Sequence, residues 1–206
     1  MIVSGQTLWL FTAAATALLL SPGPNMALVV AQGLAHGARG GIAVAFGILL
    51  ADLAMTLLVM AGVAAALAAW PGVLAMIQAL GALYLAWLGV QSLRRRPPQG
   101  QMDVVRSTTP AIIRLSLLTS LLNPKALLFF LIFLPQFVAP ERGRVALQLG
   151  LLGGLLALLA FAFHAALGAA SAHAGRRLTP GQGRAAWLGR LQALVFFALG
   201  VRLLLA

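Results

Sequence analysis

The sequence predicts an all-α polytopic membrane protein with six transmembrane helices. The first observation is compositional. The 206 residues are 62% hydrophobic and only 8% charged, whereas a soluble domain carries about 25% charged residues. A chain of this length in water could not cover its surface with so few. The second is the grouping of the apolar residues into six runs, each long enough to cross a bilayer, which takes about 20 residues. The third is the shortness of the connections, which leaves no room for a soluble domain.

In chain order, the first span runs from about Leu8 to Ala31 and is interrupted by Ser21-Pro22-Gly23-Pro24-Asn25. A loop with His36, Gly37, Arg39, Gly40 and Gly41 leads to the second span, about Ile42 to Ala68, which contains Asp52. Trp70-Pro71-Gly72 turns the chain into a third span, about Val73 to Leu93. The longest polar stretch follows, from Arg94-Arg95-Arg96 to Pro110. The fourth span, about Ala111 to Val138, is interrupted by Asn123-Pro124-Lys125. The loop with Pro140, Glu141, Arg142 and Arg144 precedes a fifth span, about Val145 to Ala170, and the sixth begins near Trp187. Met1 to Thr7 carries no Lys or Arg, so the first run is read as a span and not as a signal peptide, whose leading region is positively charged.

The net charge of +11 is spread between the apolar runs. That is a topology signal and not a nucleic-acid patch. Ten arginines (39, 94–96, 106, 114, 176, 177, 184 and 190) fall on one side and three (142, 144 and 202) on the other. The richer side is expected in the cytoplasm, with both termini outside. Trp9, Trp70, Trp87 and Trp187 fall near span ends, where interfacial anchors belong.

The two halves echo each other. The interrupted first span matches the interrupted fourth, and Ala86-Trp87-Leu88-Gly89-Val90 near the end of the third matches Phe197-Ala198-Leu199-Gly200-Val201 near the end of the sixth. Three spans is an odd number, so the halves are related by inversion. The expected organisation is residues 1–93 as the first three-helix repeat, 94–110 as a cytoplasmic linker and 111–206 as the second repeat. Proline-interrupted segments at matching places in inverted halves point to a transporter's binding site.

Proline lacks an amide hydrogen, so Pro22 and Pro24 free the carbonyls of Leu18 and Leu20. Orphaned backbone is tolerated at membrane depth only where it faces protein or a water-filled cavity. Asp52 near mid-span costs about 2.5–3.5 kcal/mol when ionised, and burial favours the neutral acid. A proton-coupling role stands against that of a protonated acid bonded between helices. Lys125 is the only lysine. It can pair with Asp52, meet a substrate carboxylate or snorkel to water. Asn25 and Asn123 flank the breaks, either to bind substrate or to mend backbone. Ser116, Thr119, Ser120 and Asn123 make a polar face, and Thr12 with Thr16 a smaller one. His164 reads as a packing residue or a proton relay, and Tyr84 as a cavity residue. Gly33 with Gly37, and Gly150 with Gly154, have the spacing of close helix packing, with which a homodimer is compatible.

Enzyme chemistry finds no support. Asp103 and Glu141 lie in loops on opposite sides, the histidines are scattered and there is no cysteine. No metal or cofactor is expected.

The chain resembles the lysine exporter (LysE/RhtB) family of bacterial amino-acid exporters, and more closely its homoserine/threonine exporter branch. The resemblance rests on Ser21 to Asn25, the Gly47 to Asp52 stretch, Leu83-Tyr84-Leu85-Ala86-Trp87-Leu88-Gly89, Asn123 to Phe130 and Leu134-Pro135-Gln136-Phe137. It covers essentially the full length. It implies export of an L-amino acid across the bacterial inner membrane, driven by the proton gradient. The expected site places Pro22, Gly23, Pro24, Asn25, Asn123 and Lys125 around the substrate. Asp52 is the proton-coupling group and shares the substrate ammonium with the freed carbonyls. One acid and one base fit a neutral amino acid such as homoserine, threonine or leucine. The rival readings are a passive channel and a structural membrane subunit.

Overall fold

The computed structural model describes residues 2–70 and 108–174, with single helical positions at 76, 79, 83, 86, 87, 90, 194 and 201. Beyond those single positions, the expected third and sixth spans, Tyr84 and nearly all of the 94–110 linker lie outside the described residues. All regular structure among the described residues is helical.

Helix α1 spans Gly5–Leu20, and its N-cap Ser4 accepts the Thr7 amide through the side-chain oxygen. At sixteen residues it is about 24 Å long, short of the ~30 Å hydrocarbon core. Ser21, Pro22 and Gly23 interrupt it. Helix α2, Pro24–Ala69, starts on a proline, which loses nothing at a first helical position.

Helix α2 is a hairpin. Gly37 alone leaves helical geometry, with φ 68° and ψ −165°, a conformation that glycine adopts without strain. A Cβ placed on Gly40 would collide with the Gln32 carbonyl. In an uninterrupted helix residues eight apart are separated by about 12 Å, so the chain has folded back on itself. The loop expected from His36 to Gly41 is thereby corrected to a one-residue turn, with helix on both sides. The two legs are residues 24–36 and 38–69.

The fourth span is broken where its sequence predicts. Helix α3, Thr109–Leu121, and the segment Lys125–Phe137 are bent by 56°. Beyond the break the expected uniform helix is replaced by three kinds of turn. A five-residue α4, Pro124–Leu128, passes into a π-helix, Phe129–Phe133, and then a 3-10 helix, Leu134–Phe137. Leu134 N–H reaches back five residues to the Phe129 carbonyl. Pro135 explains the change of gauge, since its ring crowds the carbonyl four residues back and it donates nothing. A second 3-10 turn, Pro140–Arg142, and Gly143 lead into helix α5, Val145–Ala174. Gln148 fixes this corner, accepting from the Ala139 amide and donating to the Ala139 and Gly143 carbonyls.

Helix α5 packs against both legs of α2 through small residues. A Cβ on Gly41 would meet the Gly168 backbone, one on Gly153 would meet Thr56, and one on Gly150 would touch Met60. These pairings advance in opposite directions, so α5 and the second leg are antiparallel. Gly47 approaches the α3 backbone at Ile113 and Leu117 just as closely. Close backbone approach is how helices associate where lipid removes the hydrophobic incentive. The expected glycine pairs contribute less. Gly33 does meet Gly168, but Gly37 and Gly154 have no described neighbour within 4 Å of an added Cβ.

The main core joins α1, the second leg of α2, the 129–138 segment and α5 around Phe11, Met55, Phe129, Phe133 and Leu152. The outer surface remains apolar, with Trp9, Leu57, Leu58, Leu122 and Leu158 largely exposed. By length and composition, Pro24–Gly62 (the Gly37 turn included) and Val145–His173 are apolar enough to cross a membrane, and the bent pair is a third candidate among the described residues. This is the architecture of a polytopic membrane protein.

The glycine seam is testable. Gly168→Val should lower stability by about 1–3 kcal/mol, the usual range for overpacking. Gly154→Val, on the same helix but in open space, should leave the melting temperature of the detergent-solubilised protein nearly unchanged.

Candidate functional site

The two breaks meet, and each is tied to the other. Lys125 Nζ donates to the Leu18 carbonyl at 2.9 Å and to the Ser21 carbonyl at 2.7 Å. In the opposite direction, Asn25 Nδ2 donates to Ser120 Oγ at 3.0 Å. Asn25 and Lys125 each follow the proline that restarts a helix, and each reaches the last turn of the helix before the other break. The ties are chemically unequal, since one is a cation on backbone carbonyls and the other an amide on a hydroxyl. Their geometry is nonetheless reciprocal.

Each break also repairs itself in part. Ser21 N–H returns to the Leu18 carbonyl at 3.1 Å, and Asn123 N–H to the Ser120 carbonyl at 3.1 Å. Asn123 is the N-cap of α4, its Oδ1 accepting the Lys125 amide at 3.1 Å. Asn123 therefore mends backbone. Asn25 instead bridges to the segment before the second break, and its buried Oδ1 has no hydrogen-bond partner among the described residues. The hydroxyls of Thr16 and Ser116 bond carbonyls of their own helices, so these two members of the expected polar faces serve the backbone, whereas Ser120 meets Asn25.

Between the breaks lies a cavity of about 60 Å³. Ser21, Gly23, Asn25, Asn123 and Lys125 line it from the broken segments. Asp52 comes from the second leg of α2 and His164 from α5. Pro22 and Pro24 shape the break and are absent from the lining. The rest is apolar, including Leu18, Met26, Ile48, Phe129, Phe130 and Leu156.

Asp52 is 4% exposed and His164 is 5% exposed. The seam places Asp52 opposite Ala157, so His164, seven residues further along α5, lies about 10 Å away along the axis. That offset is one of backbone levels: on antiparallel helices each side chain slants toward its own N-terminus, so the acid and the imidazole lean toward each other across the cavity they both line. His164 Nδ1 lies 2.8 Å from the Ala160 carbonyl. A carbonyl only accepts, so Nδ1 carries the proton and a neutral ring keeps its lone pair on Nε2. Among the described residues no cluster of three His, Asp or Glu side chains offers a metal site.

Sequence reasoning found the polar groups of the cavity but missed Ser120 as a partner and Phe129 and Phe130 as walls. A Ser120 partnership had no sequence signal beyond its place one turn before a proline. The phenylalanines sit one turn beyond Lys125, and that spacing would have placed them on its side of the helix.

Comparison with known proteins matches residues 16–206 to the family model described as LysE type translocator. A "Leucine efflux protein" of Klebsiella pneumoniae subsp. pneumoniae is 39% identical over 59% of this chain and 58% of its own length. One of the same name from Enterobacter sp. is 33% identical over 75% of this chain and 74% of its own. A third, from Salmonella choleraesuis, is 29% identical over 75% of this chain and 74% of its own. No solved structure matches.

The capping role of Asn123 has its own test. Asn123→Ala should cost about 1 kcal/mol, as loss of an N-cap does, while Asn123→Asp should stay close to the parent. Unfolding in mixed micelles with increasing SDS measures both.

Proposed function

Because the chain belongs to the LysE type translocator family, we propose that it exports a neutral L-amino acid from the bacterial cytoplasm in exchange for protons. The observation that carries this reading is the convergence of two helix breaks and one buried acid, Asp52, on a single cavity. Broken helices at membrane depth are the means by which transporters expose backbone to substrate. The name of the relatives, leucine efflux protein, and the apolar majority of the lining both favour an aliphatic side chain.

The half-helix that begins at Pro24 and Asn25 turns its positive end toward the cavity, a setting that favours a carboxylate. Asp52 receives the ammonium group. The Leu18 carbonyl, expected to share that group, is already engaged by Lys125 and by the Ser21 amide. Asp52 therefore carries more of the recognition than the sequence implies. A proton arriving from outside neutralises Asp52 and releases the amine. Among the described residues the lining offers one acid, Asp52, one ammonium group, Lys125, and the imidazole of His164, which suits a zwitterion and gives a second cationic group no counter-charge.

The reciprocal ties support two inverted three-span repeats. Asn25 and Lys125 occupy the same place after each break and exchange partners, as residues related by a pseudo-two-fold axis do. The arginine distribution supports an orientation with both termini outside the cytoplasm.

The test is export of leucine from cells loaded with a leucine-containing dipeptide. Asp52→Asn should reduce gradient-driven export roughly tenfold or more, as loss of a charge-assisted contact does, and leucine–leucine exchange in vesicles should weaken with it because the same carboxyl group holds the ammonium. Export that is unchanged in Asp52→Asn would remove the coupling role. Export that is indifferent to an uncoupler would identify a passive channel.

A further inference from the structure

We propose that Lys125 is the carboxylate receptor of the cavity, held latched by the Leu18 and Ser21 carbonyls until a substrate carboxylate displaces them. The inference rests on the exporter reading and adds to it the chemistry by which the site opens. Its first support is the volume. A cavity of about 60 Å³ has room for about four to six waters, at ~10–15 Å³ each, and is well under the ~150 Å³ cavity that accommodates benzene. An amino acid with a branched aliphatic side chain does not fit until a wall moves.

The second support identifies the wall. The first break consists of Ser21, Pro22 and Gly23, and a Cβ added to Gly23 would touch only the Lys125 side chain, at 3.9 and 4.0 Å. Lys125 Nζ is bonded to carbonyls on both sides of the α1 terminus, at Leu18 and Ser21. The same side chain therefore holds the C-terminal end of α1 and fills the space beside Gly23. While it stays there, α1 and α4 are fastened together over the cavity.

The third support is the exchange itself. The acceptors at Leu18 and Ser21 are neutral carbonyls, and a carboxylate is a stronger acceptor for an ammonium because charge assists from both partners. A carboxylate entering the cavity offers Lys125 a better partner than the backbone does. When Lys125 swings to it, the α1 terminus loses its tie to α4. The Ser21 and Leu18 carbonyls then face the widened cavity, which hydrates them. A primary amine of the same shape has nothing to exchange and leaves the latch closed. The ligand class is thus a 2-amino acid with a free carboxylate.

The test uses purified full-length protein and the ligand-induced rise in melting temperature. The probes are leucine and 3-methylbutylamine, which is leucine without its carboxylate. In the parent protein leucine should raise the melting temperature and the amine should not. In Lys125→Met the two should move in opposite directions. Half-saturation by leucine should weaken about tenfold or more, while the amine, meeting an unlatched cavity with Asp52 intact, should now give a shift. Lys125→Gln retains a donor for the carbonyls without the charge. It should fold like the parent, lose the leucine response and stay insensitive to the amine, which keeps the test decisive if Lys125→Met does not fold. Two results would overturn the latch while leaving the exporter reading intact: leucine binding unchanged in both variants, or an amine shift in the parent equal to that of leucine. If no 2-amino acid shifts the parent and none is exported, the latch and the exporter reading fall together.

Discussion

The structure depends on one constraint, that backbone interrupted inside an apolar environment must find partners there. Each unsatisfied amide or carbonyl costs several kcal/mol in hydrocarbon. Ser21 to Gly23 and Leu122 with Asn123 both interrupt helices among otherwise apolar surroundings. Local turns recover part of the loss, and Asn123 recovers more as a cap. At the first break the Leu18 and Ser21 carbonyls are met by Lys125, a residue more than a hundred positions away. The breaks must therefore lie side by side. Much of the described fold follows from bringing α1 to α4 and holding the 24–36 leg against α3.

The second determinant is the glycine seam between α2 and α5. Gly33 and Gly41 stand on the two legs of the hairpin, and both approach Gly168. One glycine on α5 thus admits both legs, which allows the turn at Gly37 to be as tight as a single residue. Further along, Thr56 against Gly153 and Met60 against Gly150 continue the contact. This seam sets the level of Asp52 relative to α5, and so places the acid beside the breaks. Packing of small residues and the position of the one membrane acid are in this way the same fact seen at two scales.

The breaks, Asp52 and the need for a cavity were legible in the sequence because proline and charge stand out against an apolar background. Lys125 was legible as an oddity, but its partners were not. A break announces which groups are orphaned on its own strand of chain and is silent about the distant residue that satisfies them. The hairpin at Gly37 was read as a loop because Gly37, Gly40 and Gly41 all resemble turn residues, whereas only Gly37 turns and Gly41 serves close packing. The seam itself escaped, since spacing within one helix does not reveal which helix it meets. The π and 3-10 turns from Phe129 to Phe137 escaped for a similar reason: Pro135 marks a disturbance but not the gauge of helix that absorbs it.

Charge accounting links these features to the substrate. The cavity wall holds one carboxyl group, Asp52, and one ammonium group, Lys125. In the state described here the ammonium group is bonded to neutral carbonyls and Asp52 is shut away from bulk water. A zwitterion supplies one partner of opposite sign to each, so it adds no net charge to a site that solvates charge poorly. A cationic amino acid brings one charge more than the site can answer, and an amine without a carboxylate brings nothing for Lys125. The proposed preference for neutral 2-amino acids rests on this balance of charges in the wall and on the carbonyls that Lys125 already holds, with the apolar lining left to decide among their side chains.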